Sequence, residues 1–261
     1  RLFIKQKLDN HDTDRKASQG KGNGTLGLPR RILSSSHQTT RALNVPRFLP
    51  DLSSRSREPE LMDAPELDRT RHARALRGLA RINLLSLAAR RIWIGARELP
   101  FSQDRPFRIL DVACGGGDVA IALKRRADRK GLKVEVEGCD LSSSALDFAR
   151  ARARALGVEV TFLQRDVLGE ELPGGFDLVC SSLFHLPLST QEAVALLKNM
   201  AVAGRAFLFQ DLLRTRTGLL MALATVRVVT RSRVVRVDGP RSVRAAFTPP
   251  EVRSLAAEAG L

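Results

Sequence analysis

A run of small residues behind an acidic side chain is the first feature of this sequence that could do chemistry. In Ile109–Ala120, ILDVACGGGDVA, two branched apolar residues lead into Asp111, and small residues follow at alternate positions, Ala113, Gly115 and Gly117. The pattern predicts a strand, a tight loop and the start of a helix. Glycines in such a loop admit positive φ and let a ligand approach the backbone. Because the spacing differs from the GxGxxG of dinucleotide sites, we expect a different nucleotide-like cofactor.

Two further acidic residues follow predicted strands. Asp140 ends the second strand, 29 residues after Asp111, where a carboxylate can accept hydrogen bonds from both hydroxyls of a ribose. Asp166 follows the third strand, in the segment QRDV. Each has a simpler interpretation: Asp111 as a loop former, Asp140 as a helix N-cap and Asp166 as a turn residue. The three acidic residues in this order favour a nucleotide site.

With these markers, the segment from about residue 108 to 209 resembles class I S-adenosylmethionine (SAM)-dependent methyltransferases. The glycine loop resembles their motif I, [D/E]xGxGxG, with Ala113 in place of the first glycine, and FDLVCSSLFHLP resembles their motif IV. The resemblance implies that the loop faces the methionine end of SAM, that Asp111 helps to place its amino group and that Asp166 meets the adenine. The cofactor-binding residues that it implies are Asp111, Ala113, Cys114, Gly115, Gly117, Asp140, Leu141, Asp166, Val167 and Ser182.

The elements around these residues alternate between strand and helix patterns, which is typical of a doubly wound, mainly parallel, Rossmann-like α/β sheet. Near-continuous apolar runs predict strands at 108–113, 134–139, 159–163, 177–181 and 206–209. Helical patterns cover 118–130, 143–156, 190–201 and 248–259. An earlier helical pattern over 66–98 predicts one long helix or two shorter ones. We expect the strand order 3-2-1-4-5, with N-terminal helices beside the sheet.

The best candidate for a catalytic base is His185. It follows the fourth strand, where the resemblance places the reacting methyl group, and an imidazole titrates near neutrality. Its simpler interpretation is a half-buried loop histidine. His72 lies in a helical region that could cover the site, but we expect it at the surface; Asp211, after the fifth strand, faces the pocket or caps a helix. The three cysteines have no metal-ligand spacing, so no metal site is predicted.

The acceptor is indicated by residues 211–247, which are apolar along one side and rich in arginine. We interpret this segment as an acceptor lid, which favours a small hydrophobic acceptor. The segment, together with PELMD at 59–63, resembles bacterial small-molecule methyltransferases related to the quinone-biosynthesis group, some of them encoded beside type III polyketide synthases. That resemblance implies a phenolic or polyketide acceptor. The sequence departs from it at 185–187, where His-Leu-Pro replaces the usual Leu-His-His.

The formal net charge of +15 indicates nucleic acid, anionic lipid or an acidic partner, or simply basic flanking segments. Nucleic acid is not favoured, because the fourth strand is not followed by a [D/N]PP[Y/F] motif, Cys180 lacks a Pro-Cys context, and the chain contains no tyrosine. Two alternatives to an active small-molecule methyltransferase stay open. One is an inactive domain that keeps a SAM-like pocket; the other is an RNA-associated methyltransferase that uses residues 1–58 as a phosphate-binding arm.

The chain divides into three predicted segments: a disordered basic extension at 1–58, a helical cap at 59–104 and a SAM-binding core at 105–261. Because the sequence ends after the helix that precedes the sixth strand of this family, we expect a fragment or a truncated or degenerate copy. Such a chain would lack the last two strands and leave the fifth as an unprotected edge. The absence of a signal-peptide pattern or a membrane-spanning run, together with unpaired cysteines, favours the cytoplasm. The oligomeric state is left open.

Overall fold

A computed structural model describes residues 50–63, 68–183 and 188–261. The strands are β1 (Phe107–Val112), β2 (Val134–Asp140), β3 (Thr161–Gln164), β4 (Leu178–Ser182) and β5 (Phe207–Gln210). The helices are α1 (Arg69–Ser86), α2 (Ala88–Ala96), α3 (Asp118–Asp128), α4 (Ser143–Ala155), α5 (Thr190–Ala203), α6 (Arg216–Val229), α7 (Arg233–Ala245) and α8 (Pro249–Glu258). A short 3-10 turn covers Leu61–Asp63.

The strands form one parallel sheet in the order β3-β2-β1-β4-β5, which confirms the predicted fold class and strand order. Side chains alternate between its two faces. On one face Leu110, Val179 and Phe207 pack against α5 and α8. On the other face Ile109 and Leu208 pack against α2 and α3. Both faces are therefore covered by helices, as a parallel sheet requires.

The N-terminal helical pattern is divided into two helices at Leu87, whose φ of 58° lies in the left-handed region. Asp68 begins α1 by accepting hydrogen bonds from the backbone N–H groups of Thr70 and Arg71. The apolar side of α1 packs against α6 and α7, where Ala75 meets Val226 in a small separate core. The helical cap thus joins N-terminal and C-terminal parts of the chain.

Residues 211–247, which the sequence left without assigned elements, contain the two helices α6 and α7. Pro240 lies inside α7, next to Gly239. A Cβ at Gly239 would come within 2.7 Å of Val226 Cγ1, so this glycine permits the close crossing of the two helices. None of the helices in the described part of the chain is long and apolar enough to cross a membrane.

Residues 51–58 pack against the C-terminal end of α7. The guanidinium of Arg55 lies 3.5 Å above the centre of the Phe247 ring, and its Nε donates to the Ala245 carbonyl at 2.6 Å. Glu58 accepts a hydrogen bond from Arg244 Nη1 at 2.7 Å. The structure therefore differs from the sequence-based division, which placed these residues in an unpacked extension, because their contacts are with residues almost two hundred positions away. The rest of that extension, residues 1–49, lies outside the described residues.

Candidate cofactor site

The loop between β1 and α3 holds three residues in the left-handed region of backbone conformation. The φ angles are 54° at Ala113, 51° at Gly115 and 69° at Gly117. At Gly117 a Cβ would lie only 2.7 Å from the ring of Phe162 and 2.9 Å from the Cβ of Ala149. Gly117 is therefore required both by its conformation and by the close approach of neighbouring side chains. Ala113 takes a conformation that glycine adopts more readily, which fits the glycine of the motif that it replaces.

Asp140 holds this loop in place from the end of β2. Its Oδ2 accepts a hydrogen bond from the Gly115 N–H at 2.7 Å, and its Oδ1 accepts one from the Ser142 N–H at 2.9 Å. Ser142, not Asp140, caps α4, since its Oγ accepts from the Ala145 N–H. The interpretation of Asp140 as a helix N-cap is therefore wrong. Burial raises the pKa of Asp140, and the two N–H groups partly offset that rise.

Each carboxylate oxygen of Asp140 retains capacity for another hydrogen bond, because a carboxylate oxygen accepts about two. The residue is only partly buried, so these positions are accessible from outside the fold. Beside it, Leu141 is 65% exposed, and its carbonyl accepts a hydrogen bond from Gln164 Nε2. A fixed carboxylate next to an exposed apolar side chain can bind a ribose diol and the flat face of a base.

Asp111 lies beneath the glycine loop and is 2% exposed. Burial raises the pKa of its carboxyl group well above the ordinary value, and the neighbouring Asp118 raises it further. Cys180 Sγ lies 3.8 Å from Asp111 Oδ1, while Asp111 Oδ2 is buried without a hydrogen-bond partner among the described residues. A buried carboxylate oxygen in this state calls for a donor or a cation.

Two more unpartnered oxygens lie at the same edge of the sheet. Ser182 Oγ and Gln210 Oε1 are buried, and neither has a hydrogen-bond partner in the described part of the chain. Ser182 pairs in register with Gln210. It lies two residues after Cys180, which pairs in register with Asp111. The pleat therefore turns all three side chains toward the α3 face. Of these, the Asp111 carboxylate and the Ser182 hydroxyl, on adjacent strands, could accept hydrogen bonds from an ammonium group.

The adenine end of the predicted site is built around the residues after β3. Asp166 Oδ1 accepts a hydrogen bond from the Leu168 N–H at 3.0 Å, a turn contact that agrees with the simpler interpretation of this residue. Val167 is buried, and its carbonyl accepts from Asn199 Nδ2. The turn fixes the position of Asp166 without excluding a hydrogen bond to a ligand, because a carboxylate has further acceptor capacity.

The cysteines have no exposed thiol. Cys114 lies in the loop, but its Sγ points inward, where it would be 2.9 Å from a Cβ at Gly138, and only its backbone can line the site. Burial raises the pKa of Cys114 well above its usual value, and it raises the pKa of Cys139 to about 12. All three cysteines, including Cys180, are therefore neutral thiols that fill the core. Among the described residues no group of His, Cys, Asp and Glu could hold a metal ion.

Helix α1 covers the glycine loop, as the sequence analysis allowed, but His72 is not at the surface, where it was expected. The Cβ positions of Gly115 and Gly116 lie 4.0 Å and 3.6 Å from the side chain of Leu76. One turn earlier, His72 Nδ1 lies 3.0 Å from the Oγ of Ser144, at the start of α4, so this histidine is half-buried against the site. No local pattern predicts these contacts, because they depend on how α1 packs on the sheet.

The candidate base and the acceptor side are less fully defined. His185 lies outside the described residues, so its predicted role stays a prediction. Asp211 follows β5, and its Oδ1 accepts a hydrogen bond from the N–H of Leu212 at 2.7 Å. Gln210, which the sequence did not single out, pairs in register with Ser182 and lies at the same edge of the sheet.

The residues present fit SAM. Asp140 fits the ribose hydroxyls, and the unpartnered Asp111 Oδ2 and Ser182 Oγ fit the ammonium group. Leu141 and Asp166 fit the adenine, since Leu141 follows Asp140 and Asp166 lies two residues after Gln164, the register partner of Asp140. The positive φ angles of Gly115 and Gly117 set the course of the loop backbone that would face the methionine chain.

Comparison with known proteins gives the same class. Residues 109–204 match the model of a methyltransferase domain. Demethylmenaquinone methyltransferase of Thermus thermophilus is 47% identical over 75 residues, which are 28% of this chain and 32% of the relative. Ubiquinone biosynthesis O-methyltransferase of Bordetella parapertussis is 30% identical over 158 residues, which are 59% of this chain and 61% of the relative. The chain therefore spans less than two thirds of the length of these relatives.

Among solved structures, a protein of Nostoc punctiforme assigned as an O-methyltransferase has a TM-score of 0.53 and 18% identity. The match covers 79% of this chain and 58% of that protein, and it shows that the fold is shared. Together these comparisons confirm the predicted resemblance to SAM-dependent methyltransferases.

Proposed function

We propose that this protein transfers a methyl group from SAM to a small hydrophobic acceptor, of a quinone or phenol type. The observation that carries the proposal is the hydrogen bond from the Gly115 N–H to Asp140 Oδ2, at 2.7 Å, in a loop held in left-handed conformations. The names of the relatives, which act in menaquinone and ubiquinone synthesis, support the quinone or phenol class of acceptor.

In this proposal the described residues bind the cofactor in three places. Asp140 accepts hydrogen bonds from the ribose hydroxyls, with Leu141 against the base and Asp166 near its amino group. Asp111 and Ser182 face the ammonium group of the methionine part. When bound, SAM supplies a methyl group that its sulfonium has already activated. The protein therefore has to bind, align and exclude water, and a base is needed only for acceptors that lose a proton.

The acceptor side is proposed to lie between the ends of β4 and β5 and the lid helices α6 and α7. Gln210 Oε1 is a buried polar atom at this edge, and the loop that contains His185 continues from β4. A phenolic acceptor would present its hydroxyl here, where His185 could remove the proton. The apolar composition of 211–247 supports a hydrophobic acceptor.

The first test is calorimetric titration of SAM and of its demethylated product into the wild-type chain and into Asp140→Ala. Loss of the ribose hydrogen bonds should weaken binding about 100-fold, because hydrogen bonds to a charged group contribute about 1.5–3 kcal/mol each. Asp147→Ala is the matched control, since Asp147 is an exposed carboxylate on the neighbouring helix α4. Equal affinity of Asp140→Ala and the control would disprove the site.

A second measurement separates an active enzyme from an inactive SAM-binding domain. Transfer of a labelled methyl group would be followed with demethylated quinones, simple phenols and RNA as acceptors. Labelled quinone or phenol supports the proposal. Labelled RNA would favour the RNA-associated alternative, and cofactor binding without any labelled product would favour the inactive domain.

A further inference from the structure

The outward side of α6 is apolar where a surface helix is normally polar. Only Leu219 and Val226 of this helix are buried. On the opposite side Leu220, Met221 and Val228 are 52%, 68% and 87% exposed. Met221 and Val228 lie two turns apart on one stripe of the helix, and Leu220 flanks it. This stripe, residues 220, 221, 224 and 228, is the α6 face.

Arginines surround the α6 face without acidic partners. Arg227 and Arg231 are exposed at its C-terminal end, and Nη1 of Arg81 on α1 donates to the Val229 carbonyl at 3.3 Å. Among the described residues, none of these three arginines forms an ion pair. At the N-terminal end Arg216 lies near enough to Asp51 for their charges to interact, so it is not counted with them.

We propose that the α6 face binds the surface of an anionic lipid bilayer. A helix at a bilayer surface inserts apolar side chains among the acyl chains while neighbouring arginines contact anionic head groups. The α6 face offers both, with the exposed side chains of Leu220, Met221 and Val228 along it and Arg227 and Arg231 near its C-terminal end. The sequences of α1, α2 and α6 contain nine arginines and no acidic residue, so these helices as a group favour a negatively charged partner.

Two other occupants fit less well. A nucleic acid would place its phosphates against three exposed aliphatic side chains, and the α6 face has no aromatic ring on which a base could stack. A symmetric contact with a second copy would place Arg227 and Arg231 of both chains in one interface, and the α6 face offers no acidic residue to pair with them. Like charges in that arrangement repel.

The position of α6 indicates a role for the bilayer contact in acceptor access, an inference that rests on the proposed function. The helix follows β5 after five residues, at the end of the sheet where the acceptor is proposed to bind. A bilayer against α6 would bring a lipid-dissolved quinone close to that end. Vesicle binding itself does not depend on the acceptor, so it can be measured whether or not methyl transfer is found.

The test is flotation of the full chain with phosphatidylcholine vesicles that contain or lack phosphatidylglycerol. The wild-type chain should float only with the anionic vesicles. The double variant Met221→Glu, Val228→Glu should reduce the bound fraction at least ~10-fold, because it places charges on the inserted side. Arg227→Gln and Arg231→Gln should each reduce binding about fivefold.

Val202→Glu is the matched control, since Val202 is 82% exposed on α5 in the sheet core, and it should bind like the wild type. Light scattering of each variant in the absence of lipid reports self-association. Failure of the wild type to bind anionic vesicles would overturn the proposal, and so would equal loss in Val202→Glu. A wild-type dimer that the double variant separates would instead assign the α6 face to a second copy.

Discussion

The sheet core differs from the four helices α1, α2, α6 and α7, which together form the helical cap of the structure, in its balance of basic and acidic residues. Residues 107–210, from β1 to β5, contain thirteen lysines and arginines and thirteen acidic residues. Helices α1, α2, α6 and α7 contain thirteen arginines and one acidic residue, Asp238. In the core, acidic residues are bound to specific partners, as Asp177 is to Arg105 at 2.5 Å. In the cap, Asp238 is itself occupied with the backbone N–H groups of Leu61 and Met62, at 2.9 and 3.0 Å.

This difference separates two kinds of constraint on the sequence. Core residues are fixed by the sheet and by the predicted cofactor, so that a change there should disturb folding or binding. Among the described residues most cap arginines form no ion pair, although Arg71 pairs with Asp68, and Arg241 and Arg244 pair with Glu58. A charge that is not needed for folding is available for a partner. Substitutions in the two regions should therefore differ in size and even in sign.

The largest effect is expected in the core at Gly117. Gly117→Ala should lower the free energy of unfolding by about 3 kcal/mol, because the new Cβ is both in a left-handed conformation and 2.7 Å from the Phe162 ring. The matched control is Gly157→Ala, where φ is also positive, at 62°, but nothing lies within 4 Å of the Cβ. The control should lose only about 1 kcal/mol. Equal losses in urea unfolding would show that the loop is not tightly packed.

Asp177 should show the next largest effect. Its carboxylate, 4% exposed, accepts from both Nη atoms of Arg105 and from the Arg108 N–H, and Arg205 lies 3.5 Å away. Asp177→Asn should cost about 2–3 kcal/mol, less than for a fully buried pair because the arginines are half-exposed. Asp147→Asn, at an exposed site, should cost less than about 0.5 kcal/mol.

The stabilisation that Asp177 provides should also depend on pH, which gives a second test of its ion pair. Burial alone would raise the pKa of Asp177, but the hydrogen bonds from Arg105 and from the Arg108 N–H lower it overall. The unfolded chain therefore binds the proton more tightly than the folded one, and the stabilisation is present at neutral pH and lost as the pH falls below the ordinary carboxyl range. Thermal unfolding of the wild type should show this dependence, and Asp177→Asn should show less of it. Parallel curves would contradict the ion pair.

Local pattern accounts for most of what sequence reasoning found in the core. Each strand falls within two residues of its predicted range, because buried parallel strands read as apolar runs between glycine-rich turns. The position of Asp140 could be predicted because this residue ends the second strand. Its hydrogen bond from the Gly115 N–H could not be predicted, since a contact between residues 25 positions apart depends on how the two loops meet.

The cap was harder to predict for identifiable reasons. Gly239 and Pro240 are residue types that usually interrupt helices, yet they lie inside α7, where the glycine permits the close crossing with Val226. The contact of Leu76 with the glycine loop joins elements about forty positions apart. Neither feature has a local signal, since both are set by helix packing.

Substitution of Asp111 tests whether a residue of the cofactor site lowers the free energy of unfolding of the core. Burial, and then Asp118, raise the pKa of Asp111 well above its ordinary value, so the folded chain binds the proton more tightly than the unfolded one. Its contribution to stability therefore falls as the pH rises through and above the ordinary carboxyl range. Asp111→Asn should raise the free energy of unfolding by about 1–2 kcal/mol at neutral pH, since burial of Asp111 requires either the uptake of a proton or a buried charge, and asparagine requires neither.

That gain should fade as the pH falls into the ordinary carboxyl range, because the carboxyl group of the unfolded chain is then protonated as well. The same variant should bind SAM about tenfold more weakly, because the ammonium group loses its charged partner. Thermal unfolding across pH and calorimetric titration measure the two effects. A variant that is both less stable and unchanged in SAM affinity would show that Asp111 is a structural loop former instead.

The smallest effects should distinguish the two regions by sign. Arg77 is exposed on α1, makes no ion pair among the described residues, and stands among arginines, so Arg77→Gln should stabilise the chain slightly, by less than about 0.5 kcal/mol, through reduced repulsion. Arg165, in the core, pairs with Glu170 at 3.0 Å, and Arg165→Gln should destabilise it by a similar amount. Both differences should shrink at high salt, where charges at the surface are screened. Urea unfolding at low and high ionic strength would detect the opposite signs. Because a loss on substitution of Arg77 would mean that the cap arginines contribute to folding, that outcome would remove the distinction between the two regions.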